Sequence, residues 1–357
     1  MRREPPELHR SPLQCILPPY VLREIARNGN PDERIAAATA LDVDQAFRVQ
    51  RIAVVAPLRV ARSVPGKGLP KPQRTIFDAR GGQALPGVAV RREGGKPSAD
   101  TAVNEAYDGL GATFDFFLDA FQRNSIDNAG LPLQATVHYG TAYDNAFWDG
   151  ERMVFGDGDG RLFNRFTIAV DVIGHELAHG VTAIDGPLVY QGQAGALNES
   201  MSDVFGAMVK QHALDQDAER ADWLIGAGLL ARGVGGVALR SMRSPGTAYD
   251  DAVLGRDPQP AHMKDYVRTR DDNGGVHINS GIPNRAFHLA AAAIGGKSWT
   301  RAGRIWYETL RDPKLKSAAT FSAFGKLTLK VAERLYGSGS QEAIAVDEAW
   351  REVGVIK

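Results

Sequence analysis

The spacing of apolar residues changes near residue 165, and this change divides the chain into two predicted halves. Before it, residues 87–90, 133–139 and 154–155 predict short strands between glycine-rich turns. Residues 102–124 instead place apolar side chains three or four positions apart, which predicts a helix. After residue 165 the helical spacing dominates to the end of the chain. A strand-rich half followed by a helical half predicts an α+β fold.

Residues 1–60 are predicted to form a separate N-terminal part, followed by a linker. Residues 20–28 and 31–50 have the pattern of two short helices, and Ile52 to Val55 predicts a strand. Residues 61–75 are rich in proline, glycine and basic residues, which is typical of a linker that proteases can reach. A surface loop within one domain is the alternative interpretation of that stretch.

The composition is that of an ordinary globular protein, with 43% apolar and 24% charged residues among 357, a length that predicts two or three domains. Basic and acidic residues both number 42, so nothing favours nucleic acid or an anionic membrane as a partner. The single cysteine, Cys15, excludes an internal disulfide bond. We find neither an apolar run of about 18 residues for a transmembrane helix nor the apolar core of a secretory signal. The expected location is the cytoplasm, or outside the cell by a signal-independent route.

The segment His175-Glu176-Leu177-Ala178-His179 is the strongest local indication of chemistry. It lies in an apolar stretch with helical spacing, and positions four apart lie on one helix face. The two imidazoles can therefore bind one metal ion while Glu176 stays close without binding it. Zinc suits such a site, because it accepts two imidazoles and a carboxylate and lowers the pKa of a water in the remaining position. A chance or purely structural histidine pair is the alternative.

Glu199 is the predicted third ligand. It follows His179 by 20 residues (199 − 179), and a turn at Asp185-Gly186-Pro187 allows a second helix to return beside the first. Asp203, one helical turn later, can accept a hydrogen bond from the far nitrogen of one histidine, and Asn198 can serve the other. An ordinary exposed carboxylate at a helix start is the alternative interpretation of Glu199.

Residues 271–280 form a third segment with candidate chemistry. Its double glycine predicts a tight turn. His277 follows that turn and Asp272 precedes it, so an imidazolium there could stabilise developing negative charge. By itself, a lone histidine is more often structural.

With these segments in hand, the chain resembles the thermolysin family of zinc metalloproteases over residues 75–357. The resemblance rests on seven matches in order, namely Asn145-Ala146-Phe147-Trp148, Gly156-Asp157-Gly158-Asp159-Gly160, His175-Glu176-Leu177-Ala178-His179, Val189-Tyr190-Gln191, the segment 198–203, Leu239-Arg240-Ser241-Met242 and the segment 272–280. It implies a strand-rich N-terminal subdomain and a helical C-terminal subdomain, with the His175 helix at the floor of the cleft between them.

The resemblance also implies a role for each matched residue. The residues for the metal and the reacting carbonyl would be the zinc ligands His175, His179 and Glu199, the general base Glu176, the oxyanion donors Tyr190 and His277, and Asp272, which orients His277. The residues for the substrate would be Asn145, Ala146 and Arg240 along the peptide and Phe163, Phe166, Val172 and Leu239 around an apolar pocket. Because such a pocket discriminates by about 1–3 kcal/mol per methylene, we expect a preference for cleavage on the N-terminal side of bulky hydrophobic residues.

The N-terminal residues resemble the short propeptide of the protealysin branch of that family, in the segment Cys15-Ile16-Leu17-Pro18-Pro19-Tyr20-Val21-Leu22. The resemblance implies a propeptide at 1–60, removed on maturation and commonly by the enzyme itself, before subdomains at 61–183 and 184–357. We expect the cleavage between residues 45 and 75. Cys15 could approach the zinc as a thiolate, but we favour a small buried apolar role.

One departure from the family concerns calcium. The family often has a double calcium site made of clustered carboxylates after the third zinc ligand. Asp171 is present, but Lys210, Leu224 and Ala227 stand where three carboxylates would be expected. Because calcium needs about six to eight oxygen ligands, we predict that this site is absent or crippled and that Lys210 neutralises Asp171.

Together these features predict a monomeric zinc endopeptidase precursor whose partners are peptide or protein substrates and its own propeptide. One alternative is a non-catalytic, zinc-stabilised binding protein, against which the competent residues at every mapped position argue. Another is a zinc aminopeptidase, which would need extra carboxylates for the free amine of its substrate. The sequence near Tyr190 and Asn145 offers no such motif.

Overall fold

The structure, a computed structural model, describes residues 14–53 and 70–357 of the chain. Its helices are α1 (Pro19–Asn28), α2 (Pro31–Ala53), α3 (Thr101–Phe121), α4 (Val170–Asp185), α5 (Gly192–Ala213), α6 (Asp272–Asn279), α7 (Gly281–Ile294), α8 (Ala302–Leu310), α9 (Phe321–Tyr336) and α10 (Gln341–Glu352). Its strands are β1 (Gln14–Cys15), β2 (Arg74–Asp78), β3 (Val88–Arg92), β4 (Leu133–Val137), β5 (Ala146–Trp148), β6 (Met153–Phe155), β7 (Leu224–Ile225), β8 (Arg240–Ser241), β9 (Asp250–Asp251) and β10 (Gly255–Arg256). The longer strands precede α4 and most helices follow it, as the α+β prediction requires.

Six strands form one mixed sheet in the order β1-β5-β6-β4-β2-β3. β4 pairs in parallel with β2 and with β6, whereas β1 with β5, β5 with β6, and β2 with β3 are antiparallel. The edge strand β1 comes from the start of the chain, with Cys15 opposite Phe147. The segment before α1 therefore extends the sheet of the strand-rich half.

The helical hairpin of α1 and α2 has a well-defined turn. Asn30 Oδ1 accepts hydrogen bonds from the backbone N–H groups of Asp32 and Glu33 at 2.9 and 3.0 Å. Glu33 Oε2 in turn accepts from the Asn30 N–H at 2.8 Å. This reciprocal arrangement is a capping box, and it fixes where α2 begins. The predicted helices at 20–28 and 31–50 are both present.

Two expectations for the N-terminal part were wrong where the structure describes them. Ile52 and Ala53 lie in α2 and not in a strand; an apolar run this short does not distinguish helix from strand by its spacing. Arg74 and Thr75, placed in the linker, belong to β2. The rest of the predicted strand and of the linker, residues 54–55 and 61–69, lies outside the described residues.

The helical half is also less uniform than predicted. Between α5 and α6 the chain forms four two-residue strands, β7 to β10, joined by turns. Hydrophobic spacing cannot reveal strands this short, because two residues contain no period. Beyond them α7 to α10 are regular helices, with Trp306 stacked on Trp350 at a ring-centroid distance of 6.2 Å. Among the described residues, no helix is long and apolar enough to span a membrane.

Two glycines let the central helices approach closely. A Cβ atom at Gly206 of α5 would lie 2.4 Å from the carbonyl oxygen of Asp171 in α4. A Cβ atom at Gly109 of α3 would lie 2.2 Å from Cδ1 of Ile173, also in α4. Both contacts are shorter than van der Waals separation. A side chain at Gly206 would meet the backbone of α4 and force α4 and α5 apart, whereas one at Gly109 would first displace the Ile173 side chain. The close approach of α4 and α5 places the two helices that carry the predicted metal ligands side by side.

Candidate active site

The three predicted metal ligands converge between α4 and α5. Nε2 of His175 lies 3.0 Å from Nε2 of His179. The carboxylate of Glu199 lies 3.5 Å from the first of these nitrogens and 3.6 Å from the second. All three side chains are buried, and among the described residues this is the one cluster of three such side chains with ligand atoms within 4.8 Å of one another.

The far nitrogens of both histidines are held by acceptors, which sets their tautomers. Nδ1 of His175 lies 2.8 Å from Asp203 Oδ1. Nδ1 of His179 lies 3.1 Å from Asn198 Oδ1 and 2.9 Å from Ser202 Oγ. A carboxylate or amide oxygen requires a proton on Nδ1, so each Nε2 presents a lone pair to the cluster. Burial, and then the neighbouring His175, lower the pKa of His179 well below its usual value, which keeps that ring neutral.

This geometry fits a zinc ion. Bond lengths of about 2.0–2.1 Å in a tetrahedral site place ligand atoms about 3.3 Å apart, close to the 3.0–3.6 Å observed. Two imidazole lone pairs that face each other in a buried site repel unless a cation lies between them. The donor set of two nitrogens and one carboxylate oxygen is also one that zinc accepts.

Glu176 is buried beside this cluster, on the same helix as both histidines. Its Oε2 accepts a hydrogen bond from the backbone N–H of Trp148 at 3.2 Å. Trp148 belongs to β5, so a strand of the sheet positions this carboxylate. A buried carboxylate next to a metal site has the chemistry of a general base.

Tyr190 and His277 face the cluster from the opposite side. The Tyr190 hydroxyl donates to Glu199 Oε1 and lies 3.2 Å from His277 Nε2. Nδ1 of His277 lies 2.6 Å from Asp272 Oδ1, and the backbone N–H of His277 donates to Asp272 Oδ2 at 2.9 Å. Burial alone would lower the pKa of His277, but the carboxylates of Asp272 and Glu199 outweigh it and raise that pKa. His277 therefore favours the imidazolium form.

The turn that joins Asp272 to His277 depends on backbone conformations that few residues adopt. Asp272, Asn273, Gly274 and Gly275 have φ values of 52, 50, 84 and 76°. Glycine has no Cβ and adopts positive φ without strain, which explains the double glycine. This left-handed stretch returns the chain so that the Asp272 carboxylate caps the segment of His277.

Arg240 connects the metal site to a bound peptide segment. Its Nη2 donates to Asp203 Oδ1 at 2.8 Å, and its Nη1 donates to the carbonyl oxygen of Ile16 at 3.1 Å. The N–H of Ile16 donates to the carbonyl of Ala146 at 3.2 Å, and the N–H of Leu17 donates to Asn145 Oδ1 at 3.1 Å. Residues 14–15 thus pair with β5 as a strand, and Ile16 and Leu17, at a bend that follows, contact the groups predicted to hold a substrate.

Cys15 is buried in this extended segment, with 1% of its surface exposed. It is not part of the cluster of described metal-binding side chains formed by His175, His179 and Glu199. Its burial opposite Phe147 is compatible with the role as a small buried residue, which stays a prediction.

Two protein domains known from thermolysin match consecutive parts of the chain. The thermolysin metallopeptidase catalytic domain matches residues 77–183, and the thermolysin metallopeptidase alpha-helical domain matches residues 186–355. The chain belongs to the thermolysin family. It is accordingly a metalloendopeptidase with a His-His-Glu zinc site, and the predicted family, fold class and reaction are confirmed.

Relatives within the thermolysin family extend along almost the whole chain. An extracellular metalloprotease of Pectobacterium carotovorum subsp. carotovorum is 54% identical over 346 residues, which cover 96% of this chain and 97% of that relative. Protease PrtS of Photorhabdus sp. (strain Az29) is 46% identical over 347 residues, with 95% and 91% covered. The precursor of protealysin, a metalloproteinase from Serratia proteamaculans, has a similar solved structure, with a TM-score of 0.87, 54% identity and coverage of 96% and 99%. The predicted likeness to a protealysin precursor is thus confirmed.

The side chains expected in the apolar specificity pocket of this thermolysin-family chain are all buried. Phe163 and Phe166 pack at a ring-centroid distance of 5.8 Å. Val172 lies on α4 one turn before His175, and Leu239 directly precedes Arg240. Leu239 also packs over Gly226, whose added Cβ would lie 2.9 Å from Leu239 Cγ. Val172 thus lies on the helix that carries His175, and Leu239 lies next to Arg240 in the chain.

Lys210 occupies the place where the thermolysin resemblance suggested lost calcium ligands. Its Nζ lies 2.9 Å from Asp171 Oδ2 and 2.8 Å from Asp222 Oδ1, and it donates to the Leu224 carbonyl at 2.6 Å. Burial would lower the pKa of Lys210, but the two carboxylates outweigh this and raise it. Asp222 was not anticipated as a partner, because a carboxylate in a loop has no periodic pattern to mark it.

Proposed function

We propose that this chain is the precursor of a zinc endopeptidase that cleaves on the N-terminal side of bulky hydrophobic residues. The observation that carries the proposal is the convergence of His175, His179 and Glu199, with Glu176 buried beside them. The donor set fits zinc and leaves a general base next to it. The expected division into 1–60, 61–183 and 184–357, and the monomeric state, belong to the same proposal.

In the mechanism we propose, each residue has one task. Zinc, when bound, supplies a Lewis acid that lowers the pKa of a water molecule and polarises a carbonyl group. Glu176 accepts the proton of the attacking water and passes it to the leaving amine. His277, which favours its imidazolium form, and the Tyr190 hydroxyl donate to the oxyanion that develops on the former carbonyl oxygen. Asp272 holds the His277 ring in the orientation that this requires.

Substrate would bind in extended form against β5, as residues 14–15 do. Asn145 and Ala146 would pair with its backbone, and Arg240 would donate to one of its carbonyl groups, as it does to that of Ile16. Phe163, Phe166, Val172 and Leu239 would surround the side chain after the scissile bond. On this proposal the pro-segment blocks the enzyme because it occupies the groups that a substrate needs, until the enzyme removes it.

A pair of blocked peptides tests the proposal. A peptide with Leu after the scissile bond should be cleaved, and the same peptide with Asp there should be cleaved at least about 100-fold more slowly, because the apolar pocket cannot solvate a charge. A zinc chelator should abolish cleavage, and added zinc should restore it. Cleavage that needs a free amino terminus would instead indicate an aminopeptidase, and zinc binding without cleavage of any peptide would indicate the non-catalytic alternative.

A further inference from the structure

The carboxylate of Asp203 is held by three side chains from three different elements. His175 of α4 and Arg240 of β8 meet its Oδ1, both at 2.8 Å. Arg240 Nε also donates to Oδ2 at 2.9 Å, and Asn284 of α7 donates to the same oxygen through Nδ2 at 2.8 Å. His175 and Arg240 already have roles in the function proposed above. Asn284 has none, although it contacts the residue that links them.

Asn284 is fully buried, and its amide has one chemically acceptable orientation. Nδ2 donates to Asp203, while Oδ1 finds no hydrogen-bond partner among the residues that the structure describes. A flipped amide would place its oxygen against the carboxylate, and two acceptors in contact repel. A buried carbonyl oxygen without a hydrogen bond is unfavourable. The fold tolerates it and thereby keeps an N–H donor on Asp203.

The position of Asn284 ties the segment of His277 to the back of the metal site. α7 follows α6 directly, and the backbone N–H of Asn284 donates to the carbonyl of Ser280 at 3.0 Å. The start of α7 packs closely against the chain at Pro260, because a Cβ atom at Gly281 would lie 2.8 Å from the carbonyl oxygen of Pro260. This close packing restricts movement of the backbone that carries Asn284.

We propose that Asn284 is a positioning residue for peptide hydrolysis, which acts through Asp203 to orient both the His175 imidazole and the Arg240 guanidinium. The inference rests on the proposed roles of those two residues. Partners that orient metal-binding histidines are typically worth about 10- to 100-fold in metal affinity or activity. Without the third donor, the Asp203 carboxylate can turn about its Cβ–Cγ bond and leave one of its two partners.

The test begins with Asn284→Leu, which keeps the size of the side chain and removes the donor. Zinc affinity is measured by competition with a chelator in the full chain that also carries Glu176→Ala, so that no proteolysis intervenes. We expect about 10-fold weaker zinc binding and, in the active full chain, about 10- to 100-fold lower kcat/KM on a blocked peptide. Thr328→Val is the matched control, in α9 of the same helical half. It removes a buried hydroxyl group that donates to the Phe324 carbonyl at 2.8 Å. It should change neither quantity.

A double-mutant cycle separates positioning from a general effect on the fold. In an Asp203→Asn background, Asn284→Leu should weaken zinc binding by less than about twofold, because Asn284 acts through Asp203. If Asn284→Leu weakens zinc binding in that background as much as it does alone, the inference is overturned. It is also overturned if Asn284→Leu alone leaves zinc affinity unchanged. If the proposed function itself fails, the unmodified chain shows no zinc-dependent cleavage, which is a different result.

Asn284→Asp provides a second variant of equal size if the leucine variant does not fold. The introduced carboxyl group can donate to Asp203 while it is protonated, whereas its ionised form faces Asp203 with a second negative charge. The kcat/KM of this variant relative to the unmodified chain should therefore fall as pH rises from about 5.5 to about 9. A ratio that stays constant over this range would contradict a donor role for Asn284.

Discussion

Asp144 carries the clearest consequence for stability, because it is buried and forms no ion pair with any of the described residues. It is 1% exposed, and its Oδ2 has no hydrogen-bond partner among the described residues. Burial, and then the nearby carboxylates of Asp159 and Glu33, raise the pKa of Asp144 to about 8, whereas the Asp159 N–H, which donates to Oδ1, lowers it. The neighbouring Glu33 carboxylate is itself paired with Arg161, at 3.4 Å. The Asp144 carboxyl group is therefore protonated in the folded chain at neutral pH.

The sign of the pH dependence follows from this raised pKa. Above about pH 4 the unfolded chain releases the Asp144 proton, while the folded chain keeps it until about pH 8. Stability therefore falls with rising pH through this window. Between the ordinary pKa of 3.8 and pH 7, this effect lowers the free energy of unfolding by at most about 4 kcal/mol, at 1.36 kcal/mol per pH unit. Asp144→Asn should remove that loss and stabilise the chain by about 2–4 kcal/mol at pH 7, with little effect near pH 4.

Urea unfolding from about pH 4 to about pH 9 measures this, in the full chain that carries Glu176→Ala. The control is Asp251→Asn, because the N–H groups of Gly235, Val253 and Leu254 outweigh burial and lower the pKa of Asp251. Relative to its parent, that variant should be less stable by a constant amount from about pH 5 to about pH 9, because the Asp251 carboxyl group is ionised there in both the folded and the unfolded chain. If Asp144→Asn leaves the pH dependence of the urea midpoint unchanged, our account of this buried carboxylate is wrong.

Three further predictions concern the metal-bearing helices, the oxyanion and calcium. Gly206→Ala should destabilise the chain by more than about 2 kcal/mol and weaken zinc binding in a chelator competition, because its methyl group collides with α4; wild-type stability would contradict the close packing. Tyr190→Phe should lower kcat about 100-fold with a small change in KM, because it removes one oxyanion donor; an unchanged kcat would exclude that role. Millimolar calcium should raise the melting temperature by less than about 2 °C, since Lys210 occupies the carboxylates; a shift of about 10 °C would show a retained site.

The metal ligands could be predicted from sequence because they obey local rules. His175 and His179 are one helical turn apart, and Glu199 lies on the next helix with Asp203 a turn beyond it. Residues with such spacings lie on one face of a helix wherever the segment is helical. The family resemblance then assigned Tyr190 and the more distant residues, which spacing alone does not do.

The remaining contacts join residues that no local pattern relates. Asn284 lies 81 positions from Asp203, and Arg240 lies 224 positions from Ile16. Each contact depends on where whole elements pack, and a single asparagine or carbonyl group has no periodicity to reveal it. The same holds for β1, whose two residues are too few to display strand alternation.

The most direct test of the central claim is the intact mass and zinc content of the full chain with and without Glu176→Ala. We predict that the unmodified chain loses its pro-segment over time, that a chelator prevents this, and that the variant keeps its full mass while it binds one zinc per molecule. A variant that still shortens itself at the wild-type rate when purified free of other proteases would contradict the role of Glu176 and the mechanism built on it.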